Sequence, residues 1–273
     1  MYRVEKVLNH NTVIGIRSGD NQEFLMIGKG IGFGKKVTEQ IDPGPKVTLY
    51  SLQKSTERGN ARELVKSISP ECLEIAGQIL DAAEQEFGKI DRNILFPMAD
   101  HIEYAVKRVR EHEQISNPLT ADIRALFHLE YKTAKQIIPI LKERMDIQID
   151  EDEVGYIALH IRAGRMDEKL EESLQMITVM RMVALMVEES LGIKLDPHSF
   201  MFERFMAHLR YLVARIRDGE AISLDMDKYA RTQFPESYAL AERICARLGE
   251  ELHRQVPREA VGHLGIHIER LKV

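Results

Sequence analysis

The fold is decided by residues 121–162, which read ADIRALFHLEYKTAKQIIPILKERMDIQIDEDEVGYIALHIR, together with residues 228–269, which read KYARTQFPESYALAERICARLGEELHRQVPREAVGHLGIHIE. Aligned without gaps, the two stretches are identical at 12 of 42 positions, whereas composition alone would give about two or three. Apolar residues recur at helical spacing in this part of the chain, and turn clusters such as residues 116–118 interrupt them. The repeat therefore predicts two copies of one helical domain.

The same alignment, extended towards the N-terminus, relates two pairs of histidines. His101 corresponds to His208, and His160 corresponds to His267, so the spacing within each pair is the same in both copies. Most other shared positions are apolar, and maintenance of the fold explains them. Packing alone can also retain a buried helix histidine, but the retention of both pairs favours a function for them.

Three kinds of chemistry are open to a repeated pair of histidines. A zinc site could use His263 and His267, four residues apart, but the first copy has Tyr156 where the second has His263. General acid–base catalysis would need a nucleophile or paired acids nearby, and no such motif is visible. The third possibility is that histidine accepts a phosphoryl group, because neutral imidazole, with a pKa of about 6.5, is a nucleophile near pH 7.

Helical spacing places an arginine two turns after the first histidine of each copy. Arg108 follows His101, and Arg215 follows His208, each seven residues later. A guanidinium in this position could pair with a phosphate, or it could be a solvated side chain at a helix end. Tyr104 and Tyr211 occupy the equivalent positions three residues after these histidines.

The first fifty residues have a different pattern, which is typical of short strands. Strands are predicted at Arg3–Leu8, Thr12–Arg17, Glu23–Ile27 and Lys46–Ser51, each rich in Val, Ile or Leu and bounded by turn residues. Residues 9–11 suit a tight hairpin because asparagine tolerates positive φ. These features predict a small antiparallel sheet.

This head carries a glycine-rich loop, GKGIGFGKK at residues 28–36. Its glycines let the backbone approach a ligand, Phe33 offers a stacking face, and three lysines supply positive charge. Lys6, Asn9 and Asn11 add ammonium and amide groups of the kind that contact phosphates and base edges. A flexible surface loop and turn-forming asparagines would be the alternative explanation.

Composition and charge agree with a soluble multidomain protein. The chain has 273 residues, of which 44% are hydrophobic and 30% are charged, so two or three domains are expected. Residues 1–53 hold seven basic and five acidic side chains, whereas the rest of the chain holds 31 and 38, which makes a mildly basic head on an acidic body. The absence of an apolar span and of a signal-peptide pattern in the sequence predicts a cytoplasmic protein without membrane insertion. Two cysteines are too few for a disulfide framework or a cysteine metal site.

The combination of Leu8-Asn9-His10-Asn11, the 28–36 loop and the duplicated histidines resembles transcriptional antiterminators of the BglG/LicT/SacY type over essentially the whole chain. The resemblance implies a multidomain fold: a small antiparallel β RNA-binding domain at 1–56, followed by two all-α helical-bundle regulation domains at 65–170 and 171–273. It implies a sugar-responsive regulator, neither enzyme nor cofactor-dependent, that binds a leader-RNA hairpin and prevents formation of the transcription terminator.

The resemblance also assigns residues and partners. RNA contacts are implied for residues of the hairpin, the glycine-rich loop and their flanks, namely Lys6, Asn9, Asn11, Gly28, Lys29, Gly30, Phe33 and Lys35. Phosphorylation by the phosphotransferase system is implied for His101, His160, His208 and His267. The implied partners are a leader mRNA hairpin, a sugar-specific enzyme II permease, a histidine-containing phosphocarrier protein and a second copy of the chain. Gly34, His263 and Gly265 depart from the family's usual residues.

Two other classes of protein are alternatives. A phosphotransfer relay could use the same histidines, but it would not need the asparagines and the glycine-rich loop of the head. A DNA-binding activator would need a helix-turn-helix, and residues 1–55 have no helical periodicity.

Overall fold

The computed structural model describes residues 1–53, 55–56, 59–113, 115–166, 170–196, 199–220 and 225–272. The three predicted domains also contain residues 54, 114, 167–169, 197–198, 221–224 and 273, which lie outside the described residues. A small sheet forms the head, and helices form nearly all of the remaining described chain. No helix among the described residues is both long and apolar enough to cross a membrane.

The head is a five-stranded antiparallel sheet in the order β4-β1-β2-β3-β5. Its strands are β1 (Tyr2–Val7), β2 (Thr12–Arg17), β3 (Glu23–Ile27), β4 (Gln40–Ile41) and β5 (Thr48–Ser51). The four predicted strands are therefore present, although the last one begins two residues late because Val47 N donates to Gly44 O in a turn. Strand β4 was not predicted, since two residues carry no alternation. Strands β6 (Ser55–Thr56) and β7 (Gly59–Asn60), which follow, pair with each other in antiparallel orientation.

One face of the sheet carries the core of the head. Side chains from four strands and from the glycine-rich loop form this cluster, namely Tyr2, Val4, Val13, Phe24, Met26, Ile31 and Ile41. Ile31 anchors the loop to the core, and Gly32 brings the loop backbone against the β1–β2 turn, where Gly32 N donates to His10 O at 2.9 Å. The loop and the turn therefore form one packed surface.

The helices that follow make two modules. The first module contains α1 (Ala61–Ser67), α2 (Pro70–Phe87), a 3₁₀ turn at Arg92–Ile94, α3 (Leu95–Arg110), α4 (Thr120–Leu126), α5 (His128–Ala134), α6 (Ile137–Met145) and α7 (Glu151–Met166). The second contains α8 (Leu170–Leu191), α9 (Phe200–Asp218), α10 (Asp227–Gln233), α11 (Pro235–Leu252), α12 (Arg258–Glu269) and a 3₁₀ turn at Arg270–Lys272. Ser69 and Ser199 cap the N-termini of α2 and α9 with their hydroxyl oxygens.

The internal repeat reappears in the helices. When the two copies are aligned, both ends of α4 coincide with those of α10, and the first residue of α7 coincides with the first residue of α12. The segment that forms one continuous helix, α11, in the second copy is broken into α5 and α6 in the first. Pro139 accounts for the break, since its ring excludes an interior helical position, and the aligned residue of the second copy is Ala246.

Contacts divide the chain into two compact units. One unit comprises Met1–Thr120 with Phe127–Leu170, and the other comprises Ala121–Leu126 with Glu171–Val273. The head and most of the first helical module thus pack together. Helix α4 after its first residue, Thr120, belongs to the second unit, where Asp122 lies 3.4 Å from Arg181.

The close approach of loop and turn gives a test of this packing. A methyl group at Gly32 would overlap the backbone oxygen of Asn9, whereas a methyl group at Gly44 would meet no atom within 4 Å. We expect Gly32→Ala to destabilise the head by about 1–3 kcal/mol, as overpacking usually does. Hydrogen–deuterium exchange of residues 2–27 should become faster in Gly32→Ala and stay at the wild-type rate in Gly44→Ala. Equal rates in the two variants would contradict the packing described here.

Candidate RNA interface and histidine pairs

The β1–β2 turn and the glycine-rich loop meet through the side chain of Asn11. Asn11 Oδ1 accepts a hydrogen bond from Gly30 N at 2.9 Å, and Asn11 O accepts one from Gly28 N at 2.9 Å. Asn9 Oδ1 accepts from Asn11 N at 2.8 Å and so shapes the turn. We call residues 8–11 together with 28–34 the hairpin–loop face.

The predicted RNA-contacting residues lie on or beside this face. Phe33 is 70% exposed, and its ring lies edge-on to His10 with the centroids 5.4 Å apart. Lys6 and Lys29 are exposed, on β1 and in the loop respectively. Lys35 lies just beyond the loop, where Nζ contacts Glu39 Oε1 at 2.7 Å. An exposed ring flanked by ammonium and amide groups suits stacking on an unpaired base.

The two asparagines also contact a residue that the sequence analysis missed. Asn9 Nδ2 donates to Glu74 Oε1 at 2.6 Å, and Asn11 Nδ2 donates to Glu74 Oε2 at 3.2 Å. Thr12 Oγ1 donates to Oε1 at 3.4 Å, and Arg144 donates to Oε2 at 3.0 Å. Glu74 is 7% exposed and lies on α2 among buried apolar neighbours. A lone glutamate inside the apolar stretch CLEIA was the available signal for such a contact.

The histidine pair of the first module is buried. His101 lies on α3 and His160 on α7, with 8% and 6% exposure and ring centroids 5.8 Å apart. His101 Nε2 lies 2.9 Å from Glu153 Oε2, and Arg108 holds Glu153 through three hydrogen bonds of 2.7–2.9 Å. Burial by itself would raise the pKa of Glu153, but His101 and Arg108 more than offset it, so the pKa is lowered.

The histidine pair of the second module has a different environment. His208 on α9 stacks on His267 of α12, with centroids 3.7 Å apart and ring planes 22° apart. A cleft of about 190 Å³ opens beside them, lined by Phe205, His208, Tyr211, Leu212, Arg215, His263, Leu264 and His267. Among the described residues no carboxylate lines this cleft, and Ala260 occupies the position aligned with Glu153. Arg215 packs over the Tyr211 ring and lies 3.5 Å from Glu220.

Both rings of the second pair are held neutral at pH 7. Burial, followed by the positive charge that His208 would carry, lowers the pKa of His267 to about 4. Burial and the nearby Arg204 and Arg270 also lower the pKa of His208. Neutral imidazole is the form that attacks phosphorus, so the site keeps its nucleophile available.

Titration of His267 can be measured directly. We expect its ring proton resonances to shift with a midpoint near pH 4 in the folded protein and near 6.5 in concentrated urea. Because the folded pKa is depressed, the unfolded state binds more protons between these values, and stability should fall as pH drops from 6.5 towards 4. His208→Gln removes one charge but not the burial, so it should raise the midpoint only in part. A midpoint of 6.5 in the folded protein would contradict the burial described here.

Comparison with known families agrees with this arrangement. Residues 2–58 match the CAT RNA binding domain, and residues 77–164 and 181–271 each match the PRD domain. The chain belongs to the CAT–PRD family. The hairpin–loop face lies within the CAT match, and each PRD match contains one histidine pair. We refer to the two PRD matches as PRD1 and PRD2.

Similar proteins include one named as an antiterminator. The "GlcA/glcB genes antiterminator" of Staphylococcus carnosus (strain TM300) is 28% identical over 271 residues, which cover 98% of this chain and 94% of that protein. "Protein GlcT" of Staphylococcus haemolyticus (strain JCSC1435) is 28% identical over 274 residues, covering 98% and 95%. A solved structure, "Crystal structure of GlcT CAT-PRDI", covers 60% of this chain and 97% of that chain, with 28% identity and a TM-score of 0.51. This CAT–PRD protein is an RNA-binding transcriptional antiterminator regulated through phosphotransferase-system phosphorylation.

Proposed function

We propose that the hairpin–loop face binds a hairpin in the leader mRNA of sugar-utilisation genes and so prevents the terminator from forming. Lys6, Asn9, Asn11, Gly28, Lys29, Gly30, Phe33 and Lys35 are the proposed RNA contacts. The main support is the hydrogen bond from Gly30 N to Asn11 Oδ1, which joins the β1–β2 turn to the glycine-rich loop. Amides, lysines and the exposed Phe33 ring therefore lie on one surface. An unpaired base would stack on Phe33 while the lysines contact phosphates.

The remaining proposals concern the oligomeric state, the cellular location and the phosphoryl donors of this protein. A cytoplasmic homodimer that does no chemistry of its own would bind the RNA. The histidine-containing phosphocarrier protein and a sugar-specific enzyme II permease would transfer phosphoryl groups to His101, His160, His208 and His267. Their support is the repeated pair in each PRD and, in PRD2, the depressed pKa of both rings.

Because Glu153 is present beside the histidines of PRD1 and replaced by Ala260 in PRD2, we expect phosphorylation of the two modules to have opposite effects on antitermination. A phosphoryl group on His101 Nε2 would take the place beside Glu153 Oε2, where two anions repel and the Arg108 charge is already engaged. In PRD2 the aligned residue is Ala260, so a phosphoryl group would meet no carboxylate at that position. Arg215, in the lining of the same cleft, could form charge-assisted hydrogen bonds with it. We therefore assign inhibition to PRD1 and activation to PRD2.

RNA binding can be tested with a hairpin selected on the full-length protein from a randomised RNA library. We expect Phe33→Ala and Asn11→Ala to weaken binding by roughly 1–3 kcal/mol each, through lost stacking or base-edge contacts. Affinity should also fall with salt as counterions are released. Filter binding or fluorescence anisotropy measures all three quantities.

Val37→Ala is the matched control, since Val37 is an exposed apolar side chain of the head outside the proposed set. Duplex DNA of the same sequence tests the DNA-binding alternative. Wild-type affinity in folded Phe33→Ala and Asn11→Ala would remove this face from the proposal, and preference for duplex DNA would reject the RNA assignment.

The switch can be tested with paired substitutions in each module. Changing His208 and His267 to Asp adds part of the phosphate's negative charge, and we expect more dimer and constitutive antitermination. Changing both to Ala should leave antitermination poorly inducible. Changing His101 and His160 to Asp should instead lower antitermination, because the new carboxylate at position 101 faces Glu153. Sedimentation and a terminator–reporter assay give the two readouts.

The Ala pair of each module controls for lost packing. If the Asp and Ala pairs of a module share one oligomeric state and one reporter level, the histidines of that module are packing residues. If the Asp pairs of PRD1 and PRD2 act in the same direction, the role assigned to Glu153 is wrong.

A further inference from the structure

The contact with Glu74 occupies part of the hydrogen-bonding capacity of the hairpin–loop face. An asparagine side chain has one acceptor oxygen and two N–H donors. Both oxygens are used within the head, since Asn9 Oδ1 accepts from Asn11 N and Asn11 Oδ1 accepts from Gly30 N. The amide nitrogens remain to recognise a ligand, and each donates one of its two N–H groups to Glu74.

Glu74 also places a negative charge against the amide N–H groups that, under the proposed function, would meet an RNA phosphate or base acceptor. Its two oxygens take three donors from the head and one from Arg144, so the carboxylate has the hydrogen bonds that a buried charge requires. Phosphate oxygens would compete for the same donors and would be repelled by the carboxylate. The exposed Phe33 ring lies outside this contact. One side of the face is therefore open while the amide side is covered.

Polar contacts and one aromatic contact join the head to the first module, since the buried Tyr50 ring of β5 lies edge-on to Phe96 of α3 with the centroids 6.2 Å apart. Besides Glu74, Arg92 of the first module donates to Tyr50 Oη of β5 at 3.2 Å, and Arg62 lies 3.0 Å from Glu23 of β3. Two clefts of about 520 and 550 Å³ border Glu74, and Asn11 and Arg144 line both. The amide–Glu74 contact thus lies between two open clefts, so it can open locally while Tyr50 stays packed on Phe96.

We propose that Glu74 is an internal inhibitor of RNA binding: it holds the amides of Asn9 and Asn11 against the first module, and the RNA binds only when this contact opens. The inference rests on the proposed function of the hairpin–loop face. Apparent affinity is then the intrinsic affinity reduced by the fraction of molecules that are open. Any event that loosens the first module from the head raises that fraction.

The experiment compares full-length variants with the selected RNA hairpin as the probe. Glu74→Gln keeps the shape but loses the charge-assisted hydrogen bonds, and we expect RNA to bind about fivefold to tenfold more tightly. In the absence of RNA, hydrogen–deuterium exchange of residues 8–12 should be faster in Glu74→Gln than in the wild type. If Glu74→Gln does not fold, Glu74→Asp provides the second variant, since a shorter side chain cannot reach both amides and should also raise affinity.

Two controls separate opening from a simple change of charge. Glu71→Gln removes an exposed carboxylate on the same helix, in the lining of one of the clefts, and should leave the affinity near that of the wild type. The double variant Glu74→Gln with Arg144→Gln keeps the wild-type net charge and should still bind more tightly than wild type. Equal tightening by Glu71→Gln, or wild-type affinity of the double variant, would mean that charge and not opening is responsible.

The outcomes also distinguish this inference from the proposed function. If wild type and Glu74→Gln bind the hairpin equally, Glu74 does not inhibit, and the RNA face stands. If Glu74→Gln binds more weakly, Glu74 orients the amides for RNA, and the inference is overturned. If no RNA hairpin binds either folded protein, the proposed function fails and the inference fails with it.

Discussion

A carboxylate removed from water must be surrounded by donors or cations, and two contacts between distant parts of this chain depend on that constraint. Glu74 draws two asparagine amides, a threonine hydroxyl and Arg144 to one point, which joins the head to the first module. Glu153 draws Arg108 and His101 together and joins α3 to α7. Each glutamate thus joins parts of the chain that are distant in sequence.

The duplicated modules keep one scaffold while differing at these two points. Aligned positions of the second module hold Ala260 in place of Glu153 and Arg181 in place of Glu74. Neither substitution disturbs the apolar positions that pack the helices, so the fold is retained. The chemistry around each histidine pair differs instead, with a buried ion pair in PRD1 and stacked, neutral rings in PRD2. Duplication followed by divergence at a few buried charges has given the two histidine pairs different surroundings.

Much of the fold could be predicted because its signals are local. Short runs rich in Val, Ile and Leu between turn residues identified β1, β2 and β3, and the internal repeat identified the two helical modules. Strand β4 has only two residues and depends on pairing with β1, so no local pattern could reveal it. The sequence likewise could not predict that α4 packs in the second compact unit, because its partners, such as Arg181, lie several helices further along the chain.

The sequence by itself determined the classes of domain, the positions of the four histidines and the residues of the hairpin–loop face, because spacing and side-chain chemistry are properties of the chain. Only the tertiary structure decided what these groups face. Glu74 and Asn9 are 65 residues apart, and Glu153 and Arg108 are 45 apart, so no sequence pattern links them. These partners surround each carboxylate because a buried charge is stable only when hydrogen-bond donors or cations replace its water.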